Sequence, residues 1–84
     1  MPELLIREQS RPNGQVEFLL DGVLDEHTIE ELSQRCRIYR ARNRNLVINL
    51  KNVRHVSREG RALLQKQFKP GELINIPPYM QIKA

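Results

Sequence analysis

The sequence predicts a small α/β fold built on one mixed sheet in the order β-β-α-β-α-β, and three observations carry that expectation. Arg11-Pro12-Asn13-Gly14 divides two short segments as a hairpin turn does, because Asn-Gly readily takes the positive φ that tight reversals need. Leu46-Val47-Ile48-Asn49-Leu50 is the near-continuous apolar run of a strand at a sheet centre, covered on both faces. Two later stretches repeat apolar residues at steps of three and four, the spacing of helices. With 84 residues the chain is expected to be one domain, 1–84, since chains devote about 100 to 200 residues to each domain.

Leu4 to Gln9 is the first expected strand. Gln15 to Leu20 is the second, with Val16, Phe18 and Leu20 on one face and Gln15, Glu17 and Leu19 on the other. Asp21-Gly22 breaks that pattern. A helix is expected from near residue 26, capped either by Asp25 or by Thr28 with Glu31 as a capping box. Along it Ile29, Leu32, Cys36 and Tyr39 share one face, and its acids lie early and its arginines late, matching the helix dipole. After the strand at Leu46, residues 51 to 56 should lead into a loop. Ser57 then caps a second helix from Arg58 to Phe68, with Gly60, Leu64 and Phe68 at fourfold spacing, ending at Lys69-Pro70-Gly71. A last strand is expected from Glu72 to Ile76, and residues 79 to 84 leave room for a turn or so of helix. The two crossovers between parallel strands should be right-handed.

Composition excludes several classes. Hydrophobic residues make up 39% of the chain and aromatic residues 5%, so an aliphatic core is expected and disorder is not. The single cysteine permits no internal disulfide, and its spacing from His27 and His55 fits no zinc pattern, so no metal or other cofactor is expected. No apolar run approaches the roughly 20 residues that span a bilayer, and the first residues do not resemble a secretory signal, so a cytoplasmic location without membrane attachment is expected. Charge is sorted along the chain. Residues 35 to 69 hold eleven basic side chains and the single acid Glu59, whereas the remainder holds three basic and nine acidic. A positive field of this kind attracts acidic protein, phosphate or nucleic acid, although it is equally what a solvated surface needs for solubility. No interleaved aromatics accompany it, which disfavours nucleic acid.

Three segments, Val16–Asp25 (VEFLLDGVLD), Leu46–Leu64 (LVINLKNVRHVSREGRALL) and Glu72–Pro78 (ELINIPP), together resemble a STAS domain, the module of bacterial anti-sigma factor antagonists and of sulfate-transporter tails. The resemblance implies a STAS-like fold whose C-terminal helix is here missing or truncated. That family carries Asp-Ser-Ser-Gly after its central strand. Aligned without a gap, the Asp falls at Ser57, the first Ser at Arg58, the phosphorylatable Ser at Glu59 and the Gly at Gly60. Glu59 accepts no phosphate. It is either a favourable first-turn carboxylate or a fixed mimic of the phosphorylated form. A gapped alignment would place the phosphosite on Ser57 instead.

The resemblance implies a non-catalytic protein-interaction module in bacterial signalling or transcription regulation, without phosphorylation switching at the usual site. Its partner surface would be Arg54, His55, Ser57, Arg58, Glu59 and Arg61, with Glu59 at the phosphosite position. The implied partner is a kinase-like anti-sigma factor or another regulator, and a homodimer would cover apolar surface left by the missing helix. The alternative is an electrostatic binder of nucleic acid or a phosphate ligand using the arginines of residues 35 to 61. No enzyme is expected: His55 and Ser57 alone, without a nucleophile-elbow glycine pattern, do not make a catalytic pair. Cys36, on the apolar helix face, reads as a small buried hydrophobe.

Overall fold

The computed structural model of the chain describes residues 4–80, and in it the Asn-Gly signal forms the expected hairpin. Strand β1 (Leu4–Ser10) and strand β2 (Val16–Leu24) pair antiparallel, Leu4 opposite Gly22 and Ser10 opposite Val16. Gly14 sits at φ 87°, its amide donates to the Arg11 carbonyl at 2.9 Å, and Arg11 in turn donates to the Gln15 carbonyl at 2.8 Å. Helix α1 (Ile29–Ala41), strand β3 (Leu46–Val56), helix α2 (Arg58–Gln67) and strand β4 (Leu73–Ile74) follow, with 3-10 turns at Pro70–Glu72 and Pro78–Met80. The sheet is mixed and ordered β1-β2-β3-β4, with β3 parallel to both β2 and β4. The expected order of elements is therefore observed. Of residues 79 to 84, where room for a turn or so of helix was expected, Tyr79 and Met80 fall in the 3-10 turn Pro78–Met80, and 81–84 lie outside the described residues.

Four boundaries differ from the sequence reading, each for a physical reason. Asp21-Gly22 does not end β2. Gly22 takes φ 122°, open to glycine at little cost, and the strand runs on to Leu24. Residues 51 to 56 are strand, not loop. The eleven residues of β3 run beside the nine of β2, and the two extra residues are absorbed at register shifts between Leu19 and Asp21 and between Gly22 and Val23. These bulges leave Lys51 and Asn52, then Arg54 and His55, exposed as adjacent pairs, while Leu50, Val53 and Val56 stay buried at steps of three. That step breaks the period of two by which a strand is recognised. Strand β4 is only two residues long, because Asn75 turns the chain away at φ 55°, and Pro77 has no amide to offer a ladder.

The fourth difference is the start of α1. Asp25 and Thr28 bond reciprocally: the Asp25 carboxylate accepts from the amides of His27 (2.8 Å) and Thr28 (3.1 Å), and the Thr28 hydroxyl accepts from the Asp25 amide (3.0 Å). Thr28 makes no capping bond to α1 with its side chain, so the expected pairing with Glu31 is replaced by one with Asp25. The helix ends at Asn43, in the left-handed region at φ 57°, where the Arg44 amide returns to the Tyr39 carbonyl at 2.9 Å.

Alternation places Leu4 and Ile6, Val16, Phe18 and Leu20, and Leu46, Ile48 and Leu50 on one face, which both helices cover. Leu32 and Cys36 of α1 and Leu64 of α2, with Phe68 just beyond it, complete that core. Phe18, Leu20 and Ile48 are fully excluded from water, each contributing roughly 1.5 to 3 kcal/mol by burial. Tyr39 meets the Phe18 ring edge-on at 5.6 Å and donates its hydroxyl to Glu8, which also accepts from Arg35 at 2.8 Å; α1 is thereby fastened to the edge strand.

No helix covers the opposite face of the sheet among the described residues. There a polar ladder joins β2 and β3 to the bend that follows β4: Asn49 Nδ2 donates to Glu17 Oε2 at 3.0 Å, and Asn49 Oδ1 accepts from Asn75 Nδ2 at 3.1 Å and from the Lys51 amide at 3.0 Å. Every buried side-chain polar atom among the described residues has a hydrogen-bond partner.

Candidate functional site

The six residues singled out from the sequence lie on either side of the junction between β3 and α2. Arg54 and His55 are held outward by the second bulge of β3. Ser57, extended at φ −74° and ψ 172°, caps α2: its Oγ accepts from the Gly60 amide at 3.0 Å, and its own amide donates to the Leu24 carbonyl at 2.9 Å. The junction is thereby tied to the end of β2. Arg58, Glu59 and Arg61 project from the first turns of α2 and are exposed.

Gly60 fixes the spacing. It is buried, and a Cβ built on it would stand 2.7 Å from the Leu24 carbonyl oxygen, closer than real Cβ atoms come, and a tight 3.2 Å from Leu24 Cγ. The helix therefore approaches β2 as only glycine allows. The sequence reading found this glycine by resemblance and by its fourfold spacing from Leu64; its contact with Leu24, 36 residues earlier, has no local signal (60 − 24 = 36).

The side chains of Arg54, Arg58 and Glu59 form no ion pair among the described residues, and Arg61 reaches only the Tyr79 carbonyl, at 3.4 Å. Tyr79 donates its hydroxyl to the Val53 carbonyl, so the 3-10 turn at Pro78–Met80 is attached to both β3 and α2. The arginines of the earlier basic stretch differ. Arg35 is paired with Glu8 (2.8 Å) and Glu31 (3.4 Å), and Arg44 bonds the Gly14 carbonyl at 3.1 Å. Arg40 joins Glu72 (3.3 Å) and the Gln67 carbonyl (3.1 Å) while lying over the Phe68 ring at 5.4 Å. These three serve the fold.

Catalytic raw material is not assembled at the junction. The Ser57 hydroxyl is engaged with the helix it caps, and His55 sits on the exposed bulge. Cys36 is buried at 1% exposure, and burial pushes its thiol up to about 12. No group of three or more His, Cys, Asp or Glu able to hold a metal occurs among the described residues. Nor, among them, is any helix long and apolar enough to cross a membrane. The exposed large apolar residues include Leu5, Ile38, Ile76 and Tyr79.

Comparison of the chain with family models, with curated proteins and with solved structures finds no match. The fold and site therefore define the class of protein: a small mixed α/β domain with two helices on one face of a four-stranded sheet.

Proposed function

We propose that this chain is a STAS-like, non-catalytic interaction module that binds a regulatory protein through the junction of β3 and α2, in the bacterial cytoplasm and without phosphorylation at Glu59. The observation that carries the reading is the seating of Gly60 on Leu24, which holds the first turn of α2 rigidly and turns Arg58, Glu59 and Arg61 to solvent. The element order and the parallel β2-β3-β4 arrangement support it. Preorganised side chains on a fixed turn suit recognition, since less ordering entropy is lost on binding.

The alternative, an electrostatic binder of nucleic acid or phosphate, is less well supported. Arg35, Arg40 and Arg44 hold the fold together and are not a continuous free basic strip. One experiment separates the two: capture of partners on the tagged protein, with and without nuclease, by the wild type and by an Arg58→Asp, Arg61→Asp variant. A defined protein that survives nuclease and is lost in the variant supports the module. Material that nuclease removes overturns it.

A further inference from the structure

The two flanks of the sheet are finished differently. On the β4 side, β3 bulges twice and sets Lys51, Arg54 and His55 along its outer half. On the other side β1 is the last strand among the described residues, seven residues long, matched one to one with β2 and free of proline and lysine. A regular, uncovered edge of that kind is a template for a further strand. The Val16 amide donates to the Asn45 carbonyl, on the β3 side, so Val16 and its opposite Ser10 turn their backbone groups away from one another. By alternation Glu8, Ile6 and Leu4 also present N–H and C=O on the free flank.

Helix α1 extends the same flank. Ser33 accepts from Gln67 Nε2 at 3.4 Å and Arg40 donates to the Gln67 carbonyl at 3.1 Å, so these two face α2, whereas Arg35 faces β1 and bonds Glu8 at 2.8 Å. At about 100° per residue Ile38 lies on the Arg35 side, with Glu31 before it and Arg42 after it. Leu5 on the strand, 58% exposed, and Ile38 on the helix, 52% exposed, therefore border one flank.

We infer that this flank joins a second copy of the chain, β1 pairing antiparallel with β1 of the copy about a two-fold axis through Ile6. Charge and length set the axis. Centred on Arg7 or Glu8, the pairing would oppose that residue to its own copy; centred on Leu5, it would join only residues 4–6 of the described strand. Centred on Ile6 it joins residues 4–8, using the outward groups of Leu4, Ile6 and Glu8 and laying Leu5 against the stem of the copy's Arg7. A second copy is favoured over another protein because the helix stripe complements itself. Helix α1 crosses between the parallel strands β2 and β3 and so runs alongside β1. The two-fold that reverses β1 reverses α1 too, and brings the late Arg42 of one copy toward the early Glu31 of the other, around Ile38. A partner of one charge would be repelled by one end of that stripe. The junction of β3 and α2 lies away from this flank and stays open in both copies, so the inference does not rest on the interaction-module reading.

Sedimentation equilibrium at rising concentration should show monomer passing to dimer, and in the dimer the Ile6 and Glu8 amides should gain protection from hydrogen exchange. Leu5→Lys, which meets the copy's Arg7, should weaken the dimer about tenfold more than Leu5→Glu, which pairs with it. The exchange measurement uses the wild type and decides even where a variant folds poorly. The inference is overturned by a chain that stays monomeric to millimolar concentration, by equal weakening in the two variants, or by a dimer whose Ile6 and Glu8 amides exchange as fast as the monomer's.

Discussion

The α-carbon of Gly60 lies so near Leu24 that the missing side chain of the one is occupied by the backbone carbonyl of the other, 2.7 Å from where a Cβ would stand. Helix propensity favours alanine over glycine by roughly 0.5 to 1 kcal/mol. Here the steric cost exceeds it, because the obstacle is backbone and cannot rotate away. Gly60→Ala should lower stability by about 1 to 3 kcal/mol in urea denaturation. An unchanged or raised midpoint would show that the helix can retreat freely from β2.

Ser57 caps α2 through its bond to the Gly60 amide. Ser57→Ala should cost about 1 kcal/mol, whereas Ser57→Asp, which keeps an acceptor, should retain most of the stability. If both variants lose equally, the hydroxyl is needed for something other than capping.

Acid should unfold the domain through Glu8 and Asp25. The Tyr39 hydroxyl and then Arg35 hold the Glu8 carboxyl below its usual range against a smaller opposing effect of burial. For Asp25 burial works upward, but the amide bonds from His27 and Thr28 outweigh it and hold the carboxyl down. A carboxyl lowered in the native state binds its proton more readily when unfolded. Its stabilisation is therefore complete above the ordinary carboxylate range near pH 4 and is lost as pH falls through and below it. Denaturation midpoints measured across that range should fall with pH, and Glu8→Gln should flatten part of the decline.

Cys36 should resist alkylation. Its thiol, raised to about 12 by burial, presents almost no thiolate near neutrality. Iodoacetamide should label the denatured chain readily and the native chain only as fast as it opens. Rapid native labelling would place Cys36 outside the core.

What the sequence revealed depended on range. The hairpin, α1's buried Leu32 and Cys36, and the Gly60–Leu64–Phe68 spacing were legible because each signal is local and periodic. The run-on of β3 was hidden, since two bulges convert a period of two into steps of three at Leu50, Val53 and Val56. The attachments of Arg35 to Glu8 and of Asn49 to Glu17 join residues 27 and 32 apart and could not be foreseen from spacing. Asp25 and Thr28 were each legible as a cap, but their bonding to one another, in place of Thr28 with Glu31, was not foreseen although a three-residue step with an acceptor at each end is a local cue.

The bulges of β3 have a bearing on solubility. Among the described residues β4 pairs with β3 only at Ile48 and Asn49, so beyond them no strand continues the sheet on that flank, where the Tyr79 hydroxyl donates to the Val53 carbonyl. A flat flank of that kind recruits other chains into fibrils. Here the added residues interrupt the regular alternation of amides and carbonyls and set Lys51, Arg54 and His55 along the stretch, so an incoming strand finds neither register nor dry surface. The bulges and charges along this flank thus work against the addition of a further strand.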